Sequence, residues 1–157
     1  MFKILLHIKR KDINLLAEFI LFAFLIKILP LIAFLCEKAR QNSFSKIKIG
    51  SFIRADGHDG RCIDINLEDD LPSFTSPVAI DLVIFILTHL QDLDKENRKH
   101  LGFGMPYQGD FIPRGTGTKY KRIDKSKIIN KKIGDLLTNL SAFVFPDNDN
   151  HLHIQVR

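Results

Sequence analysis

Hydrophobic and polar residues alternate in several short segments of the chain, and a period of two is typical of a β-strand with one buried face. Residues 46–54, KIKIGSFIR, show the alternation most clearly, and it resumes after a Gly- and Asp-rich loop at 62–65, CIDI. Residues 143–145 and 152–156 have the composition of further short strands. The pattern therefore predicts short strands separated by loops.

Two longer segments favour helices. Residues 77–93, PVAIDLVIFILTHLQDL, begin with a proline and are mostly apolar, which predicts a largely buried helix, and residues 127–140 predict a second one. Residues 102–118, GFGMPYQGDFIPRGTGT, are rich in Gly and Pro and favour a loop or short hairpin. Helices and short strands in separate segments indicate an α+β fold, with a small antiparallel sheet flanked by helices.

The most hydrophobic part of the chain lies near its start. Residues 19–36, FILFAFLIKILPLIAFLC, have the length of a membrane span, and basic residues precede them, as in a signal peptide or signal anchor. Lys27 and Pro30 make insertion marginal by opposing the apolar residues around them. Core helices are therefore an equally good interpretation of residues 13–29.

The length of 157 residues is ordinary for one folded domain. Residues 30–41 have apolar side chains at helical spacing after Pro30, so we assign them to that domain. The chain is accordingly divided into a hydrophobic N-terminal segment, 1–29, and a domain, 30–157. Membrane association through residues 13–36 stays open.

The net charge of +5 and pI near 9.3 suit a polyanionic partner such as nucleic acid, a membrane surface or a bacterial cell wall. Basic residues concentrate at 119–132, where Tyr120 is the one interleaved aromatic residue, and no nucleic-acid-binding motif is recognised. We therefore expect no nucleic-acid partner. Two cysteines are too few for a disulfide framework, and the isoleucines around Cys62 favour a small buried strand residue.

Candidate metal ligands occur at two distant points of the chain. His58 and Asp64 lie in GHDGRCIDI, and His153 lies in HLHIQVR. Two imidazoles and a carboxylate suit Zn²⁺ and leave its fourth position open for water, which is the arrangement of a catalytic site. The side chains of His151 and His153 point to the same face of a strand, so one can bind metal while the other works beside it.

The sequence here resembles the zinc peptidases that include D-Ala-D-Ala carboxypeptidases, penicillin-insensitive murein endopeptidases and the hedgehog signalling domain. Residues 60–65, GRCIDI, resemble the Gly-x-Ala-x-Asp part of the first family motif, and 151–153, HLH, match the closing His-x-His. The acidic residues 147–150, DNDN, are similar to the lead-in of the murein endopeptidases. The segment 50–54, GSFIR, resembles a strand ending in a substrate-side arginine, and 104–111, GMPYQGDF, is similar to a loop before the final strands.

The resemblance covers roughly residues 30–157 and implies a hydrolase of bacterial cell-wall peptides. His58 lies one position nearer to Gly60 than in the family pattern, a difference that Gly57 can absorb through its freedom in φ.

The implied mechanism is metal-assisted hydrolysis. Zn²⁺ held by His58, Asp64 and His153 would polarise the scissile carbonyl and acidify its bound water. His151 would accept or donate the proton, with Asp149 orienting its ring.

Further residues are candidates for binding the substrate. Arg54 or Arg61 would bind a substrate carboxylate or the developing oxyanion, and Gln108 is a third candidate. The implied partner is a peptidoglycan peptide, and the implied location is periplasmic or extracellular, with membrane anchoring an option. The alternative is a catalytically inactive metal-binding module of the same fold that binds cell-wall or protein ligands.

Overall fold

The computed structural model describes residues 47–51, 62–70, 72–91, 101–107 and 111–156. These ranges form a five-stranded sheet and two α-helices, which confirms the α+β class. In chain order the elements are β1 (Ile47–Ser51), β2 (Cys62–Leu67), α1 (Pro77–Leu90), β3 (Leu101–Pro106), α2 (Lys131–Asn139), β4 (Phe143–Asp147) and β5 (Leu152–Val156), with short 3₁₀ turns at Glu68–Asp70 and Lys125–Lys127.

The sequence encodes the start of α1. The Ser76 side chain accepts a hydrogen bond from the Ala79 N–H at 3.1 Å, and Pro77 occupies the first helical turn, where its missing N–H leaves no bond unmade. The predicted helix at 77–93 is confirmed, with its end at Leu90. Its buried side chains recur every three or four residues: Ala79, Leu82, Val83, Ile86, Leu87 and Leu90.

Helix α2 is shorter than the predicted segment 127–140 because Asn130 caps it. The Asn130 side chain accepts a hydrogen bond from the Ile133 N–H at 3.2 Å. Gln91, at the end of α1, donates to the Leu136 carbonyl at 3.1 Å and ties the two helices together.

The sheet is mixed, where an antiparallel sheet was expected. The strand order is β1-β2-β5-β3-β4, and β5 pairs antiparallel with both of its neighbours. Strands β3 and β4 are parallel. A parallel pair needs a long crossover, and the segment between them, which contains α2, provides it.

The expected loop at 102–118 is wrong over its first part, because Leu101–Pro106 is a fully buried strand. The glycines that suggested a loop are present for a different reason. A Cβ atom at Gly102 would overlap the Phe143 ring, and one at Gly104 would lie 2.8 Å from the His153 Cβ. These positions hold glycine because neighbouring strands place side chains directly against them.

The two faces of the sheet have different chemistry. Alternate residues such as Ile63, Ile65, Phe103 and Ile154 form one hydrophobic core with the buried face of α1. The opposite face, which we call the polar face, carries Cys62 and Asp64 of β2, His153 of β5, Gly104 of β3 and Phe145 and Asp147 of β4. Cys62 is 5% exposed, which confirms the prediction that it is a buried strand residue.

The hydrophobic segment 1–29 and the expected helix at 30–41 lie outside the described residues. Residues 13–36, for which membrane association is an option, also lie outside the described residues. Within the described ranges no helix combines the length and apolar character needed to cross a membrane.

Candidate metal centre

Asp64 and His153 are direct cross-strand partners on the polar face. Asp64 of β2 pairs with His153 of β5, and His153 pairs on its other side with Gly104 of β3. Paired residues project to the same face, so the carboxylate and the imidazole lie side by side. Strand pairing therefore brings together two residues that are 89 positions apart in the sequence.

The ligand atoms of three side chains converge. His153 Nδ1 lies 2.8 Å from Asp64 Oδ1, and His151 Nε2 lies 3.4 Å from the same oxygen. One ligand atom from each residue lies within 4.8 Å of the others. Atoms bound to one tetrahedral zinc at about 2.0–2.1 Å are about 3.4 Å apart. The spacing therefore suits a single metal ion after small side-chain adjustments.

Burial makes this group chemically unusual. His153 is 4% exposed and Asp64 is 8% exposed, while the His151 side chain is 13% exposed. A buried carboxylate loses its hydration and needs compensating partners, which the two imidazoles supply. The cluster is thus both shielded from bulk water and rich in ligand atoms.

Asp147 adds a second carboxylate at the end of β4. It is 2% exposed, and its Oδ2 lies 3.7 Å from His151 Nε2 and 3.8 Å from His153 Nδ1. Its Oδ1 accepts the Asn148 N–H at 2.7 Å and lies 3.7 Å from Lys119 Nζ.

Asp147 is held in its charged form. Burial alone would raise its pKa, but the His151 imidazole, the Asn148 N–H and the His153 imidazole together lower the pKa of this carboxyl below its ordinary value. A buried, ionised carboxylate therefore faces both imidazoles.

The turn between β4 and β5 positions His151. Its Nδ1 lies 2.6 Å from Asn150 Oδ1, and the Asn150 carbonyl accepts a hydrogen bond from the Asn66 side chain of β2. The Asp149 carbonyl accepts the Phe74 N–H at 2.8 Å, which fixes the turn on its other side. His151 is thereby directed toward Asp64 from a turn that is anchored at two points.

The predicted site residues have different outcomes. The structure brings Asp64, His151 and His153 together. The Asp149 carboxylate accepts the Tyr107 N–H at 3.0 Å and lies 3.4 Å from Arg114. The other four predicted residues lie outside the described ranges: Arg54, His58, Arg61 and Gln108.

Sequence reasoning missed the place of Asp147 in the site. Its acidic segment, 147–150, resembles a family motif, and the sequence predicts Asp149 of that segment as the partner of His151. Asp147 ends β4 and His153 lies on β5, so the alternation along a single strand does not relate them in the sequence.

No protein-family model, curated protein or solved structure matches the chain. Fold and geometry therefore define its class: an α+β domain with a buried Asp/His/His group that can hold a metal ion.

Proposed function

We propose that the chain is a zinc-dependent peptidase that hydrolyses peptides of bacterial peptidoglycan, with Asp64, His151 and His153 as the metal ligands. The observation that carries the proposal is the convergence of these three ligand atoms within 4.8 Å. Two imidazoles and one carboxylate form a ligand set typical of catalytic zinc, which keeps a further position open. Peptidoglycan lies outside the cytoplasmic membrane, so the proposal includes a periplasmic or extracellular location.

Each residue then has a defined task. Zinc at this site would polarise the scissile carbonyl and make a bound water more acidic. Asp147, whose Oδ2 lies 3.7 Å from His151 Nε2, accepts the proton of the attacking water and passes it to the leaving amine nitrogen. Lys119 Nζ, 3.7 Å from Asp147 Oδ1, favours the ionised form of Asp147, which is the form that can accept a proton. His151 acts as a ligand in this scheme, in place of the proton carrier that the sequence suggested.

The substitution Asp147→Asn tests the scheme. It is expected to weaken zinc affinity by no more than about 10–100-fold, the usual effect of removing a partner of metal ligands. At saturating zinc it should lower the rate of peptide release from purified murein at least about 100-fold, since general base catalysis contributes that much. Zinc content is measured by atomic absorption and peptide release by chromatography. The matched control is Asp81→Asn, an exposed carboxylate on α1, which should change neither quantity.

Two outcomes contradict the peptidase. Zinc binding by the wild type without any peptide release would favour the metal-binding module, and full activity of Asp147→Asn would remove the proposed base.

His151→Ala decides which histidines bind the ion. We expect this change to weaken zinc affinity at least about tenfold, because it removes one of the converging ligand atoms. Competition with a chromogenic chelator measures the affinity, and His58→Ala is measured beside it. Unchanged affinity in His151→Ala together with loss in His58→Ala would return His151 to the role of proton carrier.

A further inference from the structure

A short segment runs along the outer edge of β4 next to the candidate metal centre. The Tyr120 N–H donates to the Pro146 carbonyl at 2.9 Å, and the Ile123 N–H donates to the Val144 carbonyl at 2.8 Å. Ile123 and Val144 form an antiparallel bridge. The edge strand is thus covered over part of its length by residues 120–123, whose backbone is held against the sheet.

Tyr120 has a strained backbone and an exposed ring. Its φ is 64°, in the left-handed region that disfavours a side chain, and it is 58% exposed. Such strain is often retained at functional sites. Here it accompanies a tyrosine ring that stands in solvent beside the polar face.

The Tyr120 ring is the outermost member of a series of aromatic contacts that begins at His153 in the candidate metal centre. Tyr120 lies 6.1 Å from Phe145, and Phe145 lies 5.7 Å from His153 and 6.0 Å from Phe143, each measured between ring centroids. We call Tyr120, Phe143 and Phe145 the aromatic ledge. Its middle ring, Phe145, is buried beside the candidate ligand His153, and its outer ring, Tyr120, is exposed to solvent.

Two cations lie over the ledge. Lys119 Nζ is 4.6 Å from the Tyr120 ring centroid, and the guanidinium carbon of Arg122 is 4.4 Å from the Phe143 centroid. Phe143 and Phe145 are two residues apart on β4, which corresponds to about 6.6 Å along the strand. Because Arg122 lies over Phe143, its guanidinium group is about that far from Phe145 in the direction of the strand. Two residues of a peptide bound in an extended conformation span the same distance.

We propose that the aromatic ledge is a substrate-binding subsite that takes a peptide with an apolar side chain on the Tyr120 ring and a carboxylate at Arg122, about two residues from the scissile bond. This rests on the proposed peptidase function and specifies its substrate class. Arginine presents a planar fork that matches a carboxylate, and an aromatic ring adds contact area at little entropic cost. Tyr120 and Arg122 are thus specificity-determining residues beside the reacting groups.

The charges near the ledge favour a peptide over a polynucleotide. Asp64, Asp147 and Asp149 lie at the metal end, and Arg114 and Lys119 already contact Asp149 and Asp147. The phosphates of a polynucleotide would be repelled by these carboxylates, whereas a peptide with a single carboxylate at the Arg122 end would not be. Stacking of a nucleic-acid base on Tyr120 is therefore the alternative that the experiment below distinguishes from peptide binding.

The probe is the malonyl hydroxamate of Phe-Ala with a free C-terminal carboxylate, and the comparison compound is its C-terminal amide. The affinity of the zinc-loaded full chain for each compound is measured by titration calorimetry. The wild type is expected to bind the acid about tenfold tighter than the amide. Arg122→Gln should bind the two probes equally, and Tyr120→Gly should weaken both about fivefold. Lys121→Gln, an exposed neighbour, is the matched control and should resemble the wild type.

Two further measurements separate a binding role from a structural one. Zinc affinity should be the same in all of these variants, because none of them changes a proposed ligand. Tyr120→Gly should leave the Tm unchanged or raise it, since glycine relieves the left-handed strain. A lowered Tm together with unchanged probe affinity would make Tyr120 a structural residue and overturn the subsite.

The outcomes distinguish the two proposals. Failure of the wild type to bind zinc overturns the peptidase and the subsite together. Zinc binding with equal affinity for acid and amide overturns the subsite alone. Competition by an octathymidine oligonucleotide that is lost in Tyr120→Gly would also overturn it and identify a nucleic-acid ledge.

Discussion

Asp64→Asn is expected to abolish the zinc-dependent thermal stabilisation of the protein. A ligand at about 1,000 times its Kd stabilises the native state by about 4.1 kcal/mol. For a chain of this size each kcal/mol raises the Tm by about 2–4 °C, so zinc should raise the wild-type Tm by about 8–16 °C. Differential scanning calorimetry in zinc and in EDTA measures the difference.

The physical reason is the central position of Asp64 in the cluster. Its Oδ1 is the atom from which both the 2.8 Å distance to His153 and the 3.4 Å distance to His151 are measured. Asparagine keeps the shape of the side chain but loses the negative charge that binds a cation. The loss of zinc affinity should therefore exceed the about 10–100-fold effect of removing an outer partner of a metal ligand.

The control for this prediction is Asp149→Asn, a carboxylate near the site that contacts Tyr107 and Arg114. It should keep the full zinc-dependent shift. A zinc-dependent Tm rise of wild-type size in Asp64→Asn would show that the ion binds elsewhere and would exclude the assigned ligand set.

Gly104→Ala is expected to damage both stability and zinc binding. A Cβ at this position would lie 2.7 Å from Asp147 Oδ2 and 2.8 Å from both the His153 Cβ and a Phe145 ring carbon. The neighbours are on the adjoining strands and have little room to move. Overpacking of this kind costs about 1–3 kcal/mol, or about 2–12 °C in Tm. Because two of the displaced groups belong to the candidate centre, zinc affinity should fall as well.

Gly134→Ala provides the matched control within the same fold. Gly134 lies in α2, and an added Cβ would make ordinary contacts at 3.6 Å with the Lys125 carbonyl and 3.8 Å with Ile128. Alanine stabilises a helix interior by about 0.5–1 kcal/mol relative to glycine. The two glycine substitutions should therefore have opposite signs in thermal unfolding; a stabilised Gly104→Ala variant would refute the close packing described for the polar face.

Local signals in the sequence were sufficient for most of the elements. The initial proline and the long, mostly apolar segment that follows it identified α1, and alternation identified β1 and β2. Strand β3 could not be recognised because its glycines are explained by the Phe143 ring and the His153 side chain, which approach from other strands. Local composition contains no information about such approaches, so glycine indicated a loop.

The site was predictable in its residue types and only partly in its arrangement. The carboxylate Asp64 and the pair His151 and His153 were found from ligand chemistry and from the period of a strand. The contribution of Asp147 depends on the parallel pairing of β3 with β4, which places the end of β4 one strand away from β5, with β3 between them. That pairing follows from the crossover through α2 and has no signature in the residues around Asp147.

The central position of β5 also affects the order in which the domain can fold. Among the described strands β5 is the last in sequence, yet it lies between β2 and β3 and joins the β1–β2 pair to the β3–β4 pair. Each pair can form from its own segment, whereas the contact of Asp64 with His153 closes a separation of 89 residues. The ligands therefore meet only when β5 pairs with β2, so a chain in which β5 has not yet been inserted has no assembled site with which to capture zinc.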